Sequence, residues 1–474
     1  MAEPAGDMRL ARLARDLLRA EGFRGLSERL ADRLEALRDR MEEKTVAPAE
    51  LAEALAAGGG APVLDVLATP LAPRYGGVPV QLATRLPEER RLRTTALLSP
   101  EGGRWTLRAA AGGARLRTRL GRSGPANDPA RDLGAELQVV GEAADRAGAR
   151  IVNFEGVAGW TPAALRSFAG AFRGGRRIVL SLHDFGLFCP RPNLVEEPHG
   201  RFCGYSRDAT RCRACLAATW DLPAGFVEEW RRASAELLSA AGAVIYPSEF
   251  LQRQHAAIFP GYRPRLERVV APPAPGLEGP GEIVAPVHRW RRRQPGEPLR
   301  VAFVGAYRPH KGALVFEELL RLDARRAERP VRWSILGSGD PALLLEARRR
   351  GARVAGHYRA GGLVRLLRDE EIDVALLPSL WPETYALTLS ECRAAGVPVV
   401  AFALGAIAER VGAEGGGILV PVEEGAAGIA AVLEKVRSGA IEIPPFRGIE
   451  PPASAVRAAA GRADLYRILL ADAS

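Results

Sequence analysis

Long apolar runs, aromatic side chains and cysteine are all scarce in this chain, and each scarcity removes a class of protein. The longest apolar stretch, residues 394–408, is interrupted by Gly396, Pro398 and Gly405. It therefore reads as the end of a helix followed by a strand, since a membrane span needs about 20 apolar residues in succession. The chain shows no charged start followed by an apolar core and a small-residue cleavage site. With no secretory signal to read, the expected location is the cytoplasm or the inner face of its membrane. In that reducing compartment the five cysteines are not expected to form disulfides. Aromatic residues make up 6% of the chain and are not interleaved with the arginines. The stacking platform of a single-stranded nucleic-acid binder is missing, and no nucleic acid is expected as a partner.

What is present is apolar and basic. A chain of 474 residues, 47% of them hydrophobic, is long enough for two or three domains with cores of their own. The formal charge of +10 is compatible with anionic membranes, nucleic acid or phosphorylated substrates and does not choose among them. Residues 94–122 read as strands with glycine turns. Arg104, Arg108, Arg115, Arg117, Arg119 and Arg122 stand there with no acidic residue between them, as a solvated edge or as a landing surface for an acidic or lipid-linked molecule. Ahead of these, residues 8–41 carry two amphipathic helices. Leu10, Leu13 and Leu17 form one stripe, and after Gly22 and Gly25 a second runs through Leu26, Leu30, Leu34, Leu37 and Met41. Acids and bases balance over residues 1–44, which argues against a basic membrane helix and for docking on the protein's own body or on a partner.

From residue 62 onward strands alternate with helices: PVLDVLATPL (62–71), RIVNFEG (150–156), RIVLSLHDF (177–185), AVIYPS (243–248) and ERVVAPP (267–273). A linker rich in proline, glycine and arginine follows and ends in HRWRRRQPGEP (288–298). The alternation then resumes with LRVAFVGAYRPHKG (299–312), SILGSGD (334–340), VAGHY (354–358), DVALLPS (373–379) and PVVAFAL (398–404). This is an α/β pattern of parallel sheets, which bind ligands at the carboxyl ends of their strands. The expected divisions are a helical extension over 1–58, a first α/β domain over 59–275, a linker over 276–298, a second α/β domain over 299–446 and a terminal helix within 447–474.

The candidate site is WPETYALTLSECRAAG, Trp381 to Gly396. It opens as a loop and becomes a helix after Thr384. Glu383 in the loop and Glu391 in the helix stand on the order of 10 Å apart at about 1.5 Å of rise per residue. That is too far for a retaining glycosidase pair, which needs about 5 Å. It suits the two ends of an elongated ligand with hydroxyls at both, and an anion at the helix amino terminus between them. Taken alone, two glutamates are most often solvated surface residues. Gly76 and Gly77 follow the first strand and leave backbone N–H groups at a helix start, and His183 sits where a strand ends. Gly305 ends another strand, and Arg308, His310 and Lys311 follow it, where two cations, Arg308 and Lys311, suit a diphosphate. Cys189, Cys203, Cys212 and Cys215 crowd into residues 189–215. The CxxC spacing of Cys212 and Cys215 suits two thiolates on one metal, and the other two would complete a tetrahedral structural Zn²⁺ site, with His199 as an alternative ligand. The bland alternative is four free thiols.

The two glutamates with seven residues between them, the HD pair at His183 and the KG at Lys311 resemble the glycosyltransferases of family 4, over roughly residues 62–440. The resemblance implies a GT-B fold, two Rossmann-like domains facing a cleft, and retaining transfer of a sugar from a nucleotide sugar to an acceptor hydroxyl. It implies that Glu383 and His183 hold the donor sugar and that Glu391 holds the ribose. Lys311, Arg308 and the helix after Thr384 would stabilise the departing diphosphate, and the leaving phosphate would take the acceptor's proton. Gly76, Gly77, Gly305, Gly337, Ser379, Thr384, Tyr385 and Ala386 would line the donor, and no cofactor would be required. Ala306 stands where the family has arginine, so Arg308 is assigned by proximity alone. The acceptor expected is a glycan, lipid-linked or protein molecule, as in bacterial surface-polysaccharide or protein glycosylation, with peripheral membrane contact. The rival readings are a nucleotide-sugar epimerase of the same fold and a non-catalytic scaffold.

Overall fold

The computed structural model describes residues 5–58, 62–71, 77–111, 113–123, 133–157, 159–171, 177–262, 264–274, 297–326, 328, 330–447 and 455–471. Two compact units divide the chain, one of residues 36–273 with 453–474 and one of residues 1–35 with 274–452. The expected helical extension is thus shared between the units at residue 35, and the terminal segment belongs with residues 36–273.

The unit of residues 36–273 is built on nine strands: β1 (Glu43–Thr45), β2 (Val63–Val66), β3 (Thr95–Glu101), β4 (Arg104–Ala111), β5 (Ala114–Arg122), β6 (Ile151–Glu155), β7 (Arg177–Ser181) and, after a small hairpin of β8 (Val195–Glu196) and β9 (Arg201–Phe202), β10 (Ala243–Tyr246) and β11 (Glu267–Val269). Their order is β1-β5-β4-β3-β2-β6-β7-β10-β11. From β3 to β11 the neighbours run parallel, whereas β3, β4 and β5 form an antiparallel meander. Successive side chains point to opposite faces: Ile178 and Leu180 enter the larger core, while Val179 packs with Leu465, Tyr466 and Leu469 of the terminal helix Ala455–Ala471. Three of the meander's arginines are not bare. Arg108 donates to Glu43 (3.1 Å) and Ser99 (3.1 Å), Arg115 to Asp39 (3.2 Å) and Glu42 (3.3 Å), and Arg117 lies 3.8 Å from Glu43. These acids come from the preceding helix and β1, which the count within residues 104–122 does not include.

The second unit carries β12 (Leu299–Val304), β13 (Val331–Leu336), β14 (Arg353–Gly356), β15 (Val374–Leu377), β16 (Val399–Phe402) and β17 (Gly417–Val420). All are parallel, in the order β14-β13-β12-β15-β16-β17. This is the doubly wound order of a Rossmann fold, with its reversal at β12. Helices cover both faces, so the strands read as nearly continuous apolar runs: Val301 and Phe303 enter one core, Ala302 and Val304 the other.

The helix Ala5–Glu42 is broken at Gly22, whose φ of 76° and ψ of 179° are not helical. It docks on the protein's own body, by a face other than the leucine stripe. Leu13, Leu18, Phe23, Leu30 and Leu34 are exposed, while Ala20, Glu21 and Gly25 are buried. The surface they meet is the end of β14, whose backbone groups need polar partners. Arg24 Nε donates to Ala355 O (3.2 Å), His357 N to Glu21 Oε2 (3.2 Å), and Asp32 lies 2.5 Å from His357 Nε2. A small, polar helix face fits that demand better than a leucine stripe.

For the segment carrying the four cysteines the sequence left a structural zinc site and four free thiols open. Cys189, Cys203, Cys212 and Cys215 are free thiols, and among the described residues no group of three or more His, Cys, Asp or Glu is placed to hold a metal ion. Burial pushes the Cys189 thiol up to about 12 and raises that of Cys203 as well. Cys212 Sγ donates to Ser206 O (3.4 Å) and Cys215 Sγ accepts from Glu197 N (3.4 Å). The segment packs onto the large core of its unit, where Tyr205 meets Phe185, Phe188 and Phe202 edge-on, Arg231 lies over the Phe188 ring and Trp230 donates to Gly186 O (2.8 Å).

Candidate active site

In the second unit the reversal of strand order makes the loops after β12 and β15 neighbours, and both carry predicted residues. The chain leaves β12 through Gly305, buries Tyr307 and turns through Pro309–Lys311 into Gly312 (φ 91°). A Cβ on Gly312 would lie 2.1 Å from Pro378 O, so only glycine lets the two loops approach this closely. Leu380 N then donates to His310 O (3.0 Å). Lys311 Nζ reaches Glu383 Oε2 at 2.9 Å and stands 5.0 Å from the centre of the Trp381 ring. Ser379 Oγ donates to Glu383 Oε1. Burial, with Lys311 and Arg308 nearby, lowers His310 to about 4 and keeps its ring neutral near pH 7.

Arg308 is not drawn into this group. Its side chain is exposed and makes no hydrogen bond or ion pair among the described residues, and Ala306 is exposed beside it. Gly337 has a packing reason to be glycine, because a Cβ there would lie 1.9 Å from Gly305 O.

After Glu383 the chain buries Thr384 and enters the helix Leu387–Ala395 through Ala386, whose φ of 66° is left-handed. A side chain in that region costs about 1–3 kcal/mol and persists where its surroundings impose it. Arg410 is what imposes it. Its Nη1 donates to Tyr385 O (2.9 Å) and Ala386 O (3.2 Å), its Nη2 to Ser390 Oγ (2.9 Å), and its guanidinium lies 4.2 Å from the Tyr385 ring centre. Gly405 closes the other side, with Ala406 N donating to Glu383 O (2.7 Å). The sequence reading assigned no role to Arg410, and its only local signal was its place after the strand 398–404. Glu391 is 4% exposed, and burial pushes its carboxyl up to about 8. Near pH 7 it is mainly a carboxylic acid, able to donate as well as accept.

The other unit places His183 just past β7. Its Nε2 lies 2.9 Å from Glu155 Oε2 and its Nδ1 2.9 Å from Gln81 Nε2. Gln81 belongs to the helix Gly77–Leu92, which Gly77 opens; Gly76 lies outside the described residues. Glu155 also meets Arg85 (2.7 Å) and Arg462 (2.6 Å). Sequence reasoning assigned no role to Gln81, Arg85, Glu155 or Arg462, and for Arg462 no local pattern was available to find it.

The family described as Glycosyl transferases group 1 matches residues 298–437. A phosphatidyl-myo-inositol mannosyltransferase of Mycolicibacterium smegmatis is 38% identical over 146 residues, covering 29% of this chain and 36% of that protein. The chain thus spans about a third of the length of this curated relative. Among solved structures, sucrose-phosphate synthase of Thermosynechococcus elongatus superposes with a TM-score of 0.55 at 15% identity, over 87% of this chain and 95% of that one. The catalytic domain of Arabidopsis thaliana starch synthase IV, bound to ADP and acarbose, gives 0.51 at 12% identity, over 88% and 99%. At such identities the likeness concerns the fold, which is GT-B with two Rossmann-like domains. Residues 298–437 thus match a glycosyl transferases group 1 domain within a chain of GT-B fold.

Proposed function

We propose that this chain is a retaining glycosyltransferase acting on a nucleotide sugar. The bond between the sugar's C1 and the diphosphate breaks, the acceptor's hydroxyl oxygen bonds to C1 on the same face, and the hydroxyl proton passes to the leaving diphosphate. One observation carries the reading: at the strand reversal of a Rossmann-like sheet, two loops join Lys311, Glu383 and Ser379 in one hydrogen-bonded group beside a helix start. The group 1 match over 298–437 supports it. Lys311 and the amino terminus of Leu387–Ala395 are assigned to the diphosphate, with Arg308 as an exposed auxiliary cation. Glu383 and His183 are assigned to the donor sugar and Glu391 to the ribose hydroxyls. Ser379 orients Glu383, while Thr384, Tyr385 and Ala386 shape the loop. The acceptor class proposed is a glycan, lipid-linked or protein molecule reached from the cytoplasmic side, as in surface-polysaccharide or protein glycosylation.

Thermal unfolding against UDP, GDP, dTDP and ADP sugars, for the wild type and Glu391→Ala, tests the donor site. A ligand at 100 times its dissociation constant adds about 2.7 kcal/mol. The proposal expects one base family to stabilise the wild type and not the variant; no shift at millimolar ligand would favour a scaffold. Conversion of the donor without any acceptor, at a rate matching turnover, would favour an epimerase. Zinc counted per chain by elemental analysis decides whether the four sulfurs also take a metal.

A further inference from the structure

Glu155 ends β6 with its side chain buried, 3% of the residue being exposed. Its Oε1 accepts from Arg85 Nη2 (2.7 Å), Arg462 Nη2 (2.6 Å) and Asn153 Nδ2 (2.6 Å), and its Oε2 faces His183 Nε2 at 2.9 Å. Burial opposes ionisation, but Arg462 and Arg85 together hold the carboxyl well below the usual range. An ionised carboxylate can only accept hydrogen bonds, so the ring nitrogen facing it must carry the proton. Gln81 Nε2 stands 2.9 Å from the other ring nitrogen, Nδ1, and 3.1 Å from Nε2. With Nε2 engaged by Glu155, the carboxamide N–H donates to Nδ1. Which end of the Gln81 amide points at the ring is inferred from the network, whereas the proton on Nε2 follows from Glu155 either way.

We propose that Glu155 is a positioning residue for His183: it locks the imidazole as the Nε2–H tautomer, so that Nδ1 is the ring atom that accepts a hydrogen bond from a sugar hydroxyl, at the position the Gln81 amide fills in this structure. The proposal rests on the reading of His183 as a sugar-binding residue. It explains why two buried arginines converge on one carboxylate behind the ring: they keep Glu155 ionised and therefore an acceptor. Arg462 comes from the terminal helix, so that helix takes part in fixing the ring. His183 would then discriminate by polarity, taking a ligand group that can donate and rejecting one that can only accept.

The test uses the full chain with ¹⁵N-labelled histidine and long-range ¹H–¹⁵N correlation at pH 8, the His183 signal being identified by its loss in His183→Gln. The wild type is expected to give the Nε2–H pattern, and an Nδ1–H pattern would overturn the proposal. Gln81→Ala is expected to keep the wild-type tautomer, and a switch in that variant would transfer the role from Glu155 to Gln81. Glu155→Gln is expected to mix the tautomers and to lower kcat/KM for the donor about tenfold or more, as for loss of a hydrogen bond to a charged group. Unchanged tautomer and kinetics in a folded Glu155→Gln would refute it. Should that variant not fold, the wild-type and Gln81→Ala spectra still decide. If His183→Gln transfers sugar at the wild-type rate, the sugar-binding role of His183 fails, while the spectra still judge Glu155.

Discussion

Lys311 and Glu383 are 27% and 9% exposed at their side chains, a pair between surface and core whose contribution to stability is small beside what its cation offers a diphosphate. Lys311→Met is therefore expected to change the melting temperature little and to lower turnover about 10²–10³-fold, the range for removing one electrostatic stabiliser of a leaving group; steady-state kinetics with the donor found by the ligand panel checks this. Glu391 gives a second prediction at this scale. Its carboxyl titrates near 4.5 in an unfolded chain and is raised to about 8 by burial. The folded state thus binds this proton more tightly, and the stability it contributes is full below about pH 4.5 and lost as pH rises to about 8. Glu391→Gln has no proton to lose, so its melting temperature is expected to rise relative to the wild type between pH 5 and 8, read by calorimetry in matched buffers. The same variant is expected to bind the donor more weakly, because an amide cannot become the anion that two ribose hydroxyls favour.

The loop and helix from Trp381 to Ala395 depend on a partner outside themselves. Arg410 lies in the following helix Gly405–Glu414 and holds Tyr385 O, Ala386 O and Ser390 Oγ together. Without it, Ala386 has no reason to keep a left-handed backbone, and the helix start that the diphosphate is proposed to meet would reorient. Arg410→Met is expected to cost about 2–3 kcal/mol in urea unfolding, as several hydrogen bonds to a charged group are lost. It should also weaken donor binding, although Arg410 is assigned no contact with the donor. Equal donor affinity in wild type and variant would remove this element-level coupling.

At the scale of the molecule, the terminal helix Ala455–Ala471 belongs to the unit of residues 36–273. It covers Val63, Ile151, Val179, Ala243 and Ile245 with Leu465, Tyr466 and Leu469, and Arg462 answers Glu155 at 2.6 Å and Glu89 at 3.2 Å. A chain ended at residue 452 loses that apolar cover and leaves buried carboxylates short of a cation, a break that costs about 3–5 kcal/mol for a single buried pair. The expected outcome is that the cooperative melting transition of that unit disappears while the transition of the other persists, seen as one calorimetric peak in place of two.

Local periodicity and turn chemistry by themselves determined the α/β alternation, because strand and helix periods are properties of consecutive residues. They also put Lys311 and Glu383 on loops at strand ends. Pairing those loops was left to the tertiary structure, since it depends on the order β14-β13-β12-β15. Partners from afar decided what spacing could not: the leucine stripe gave the amphipathic face of the first helix, while the polar end of β14 is met by Glu21, Gly25 and Asp32. The CxxC of Cys212 and Cys215 describes a distance along the chain, and among the described residues no group of three or more His, Cys, Asp or Glu is placed to hold a metal ion. Arg462 and Glu155 are 307 residues apart. No local pattern can announce that contact, and only the folding of the terminal helix onto the first sheet decides it.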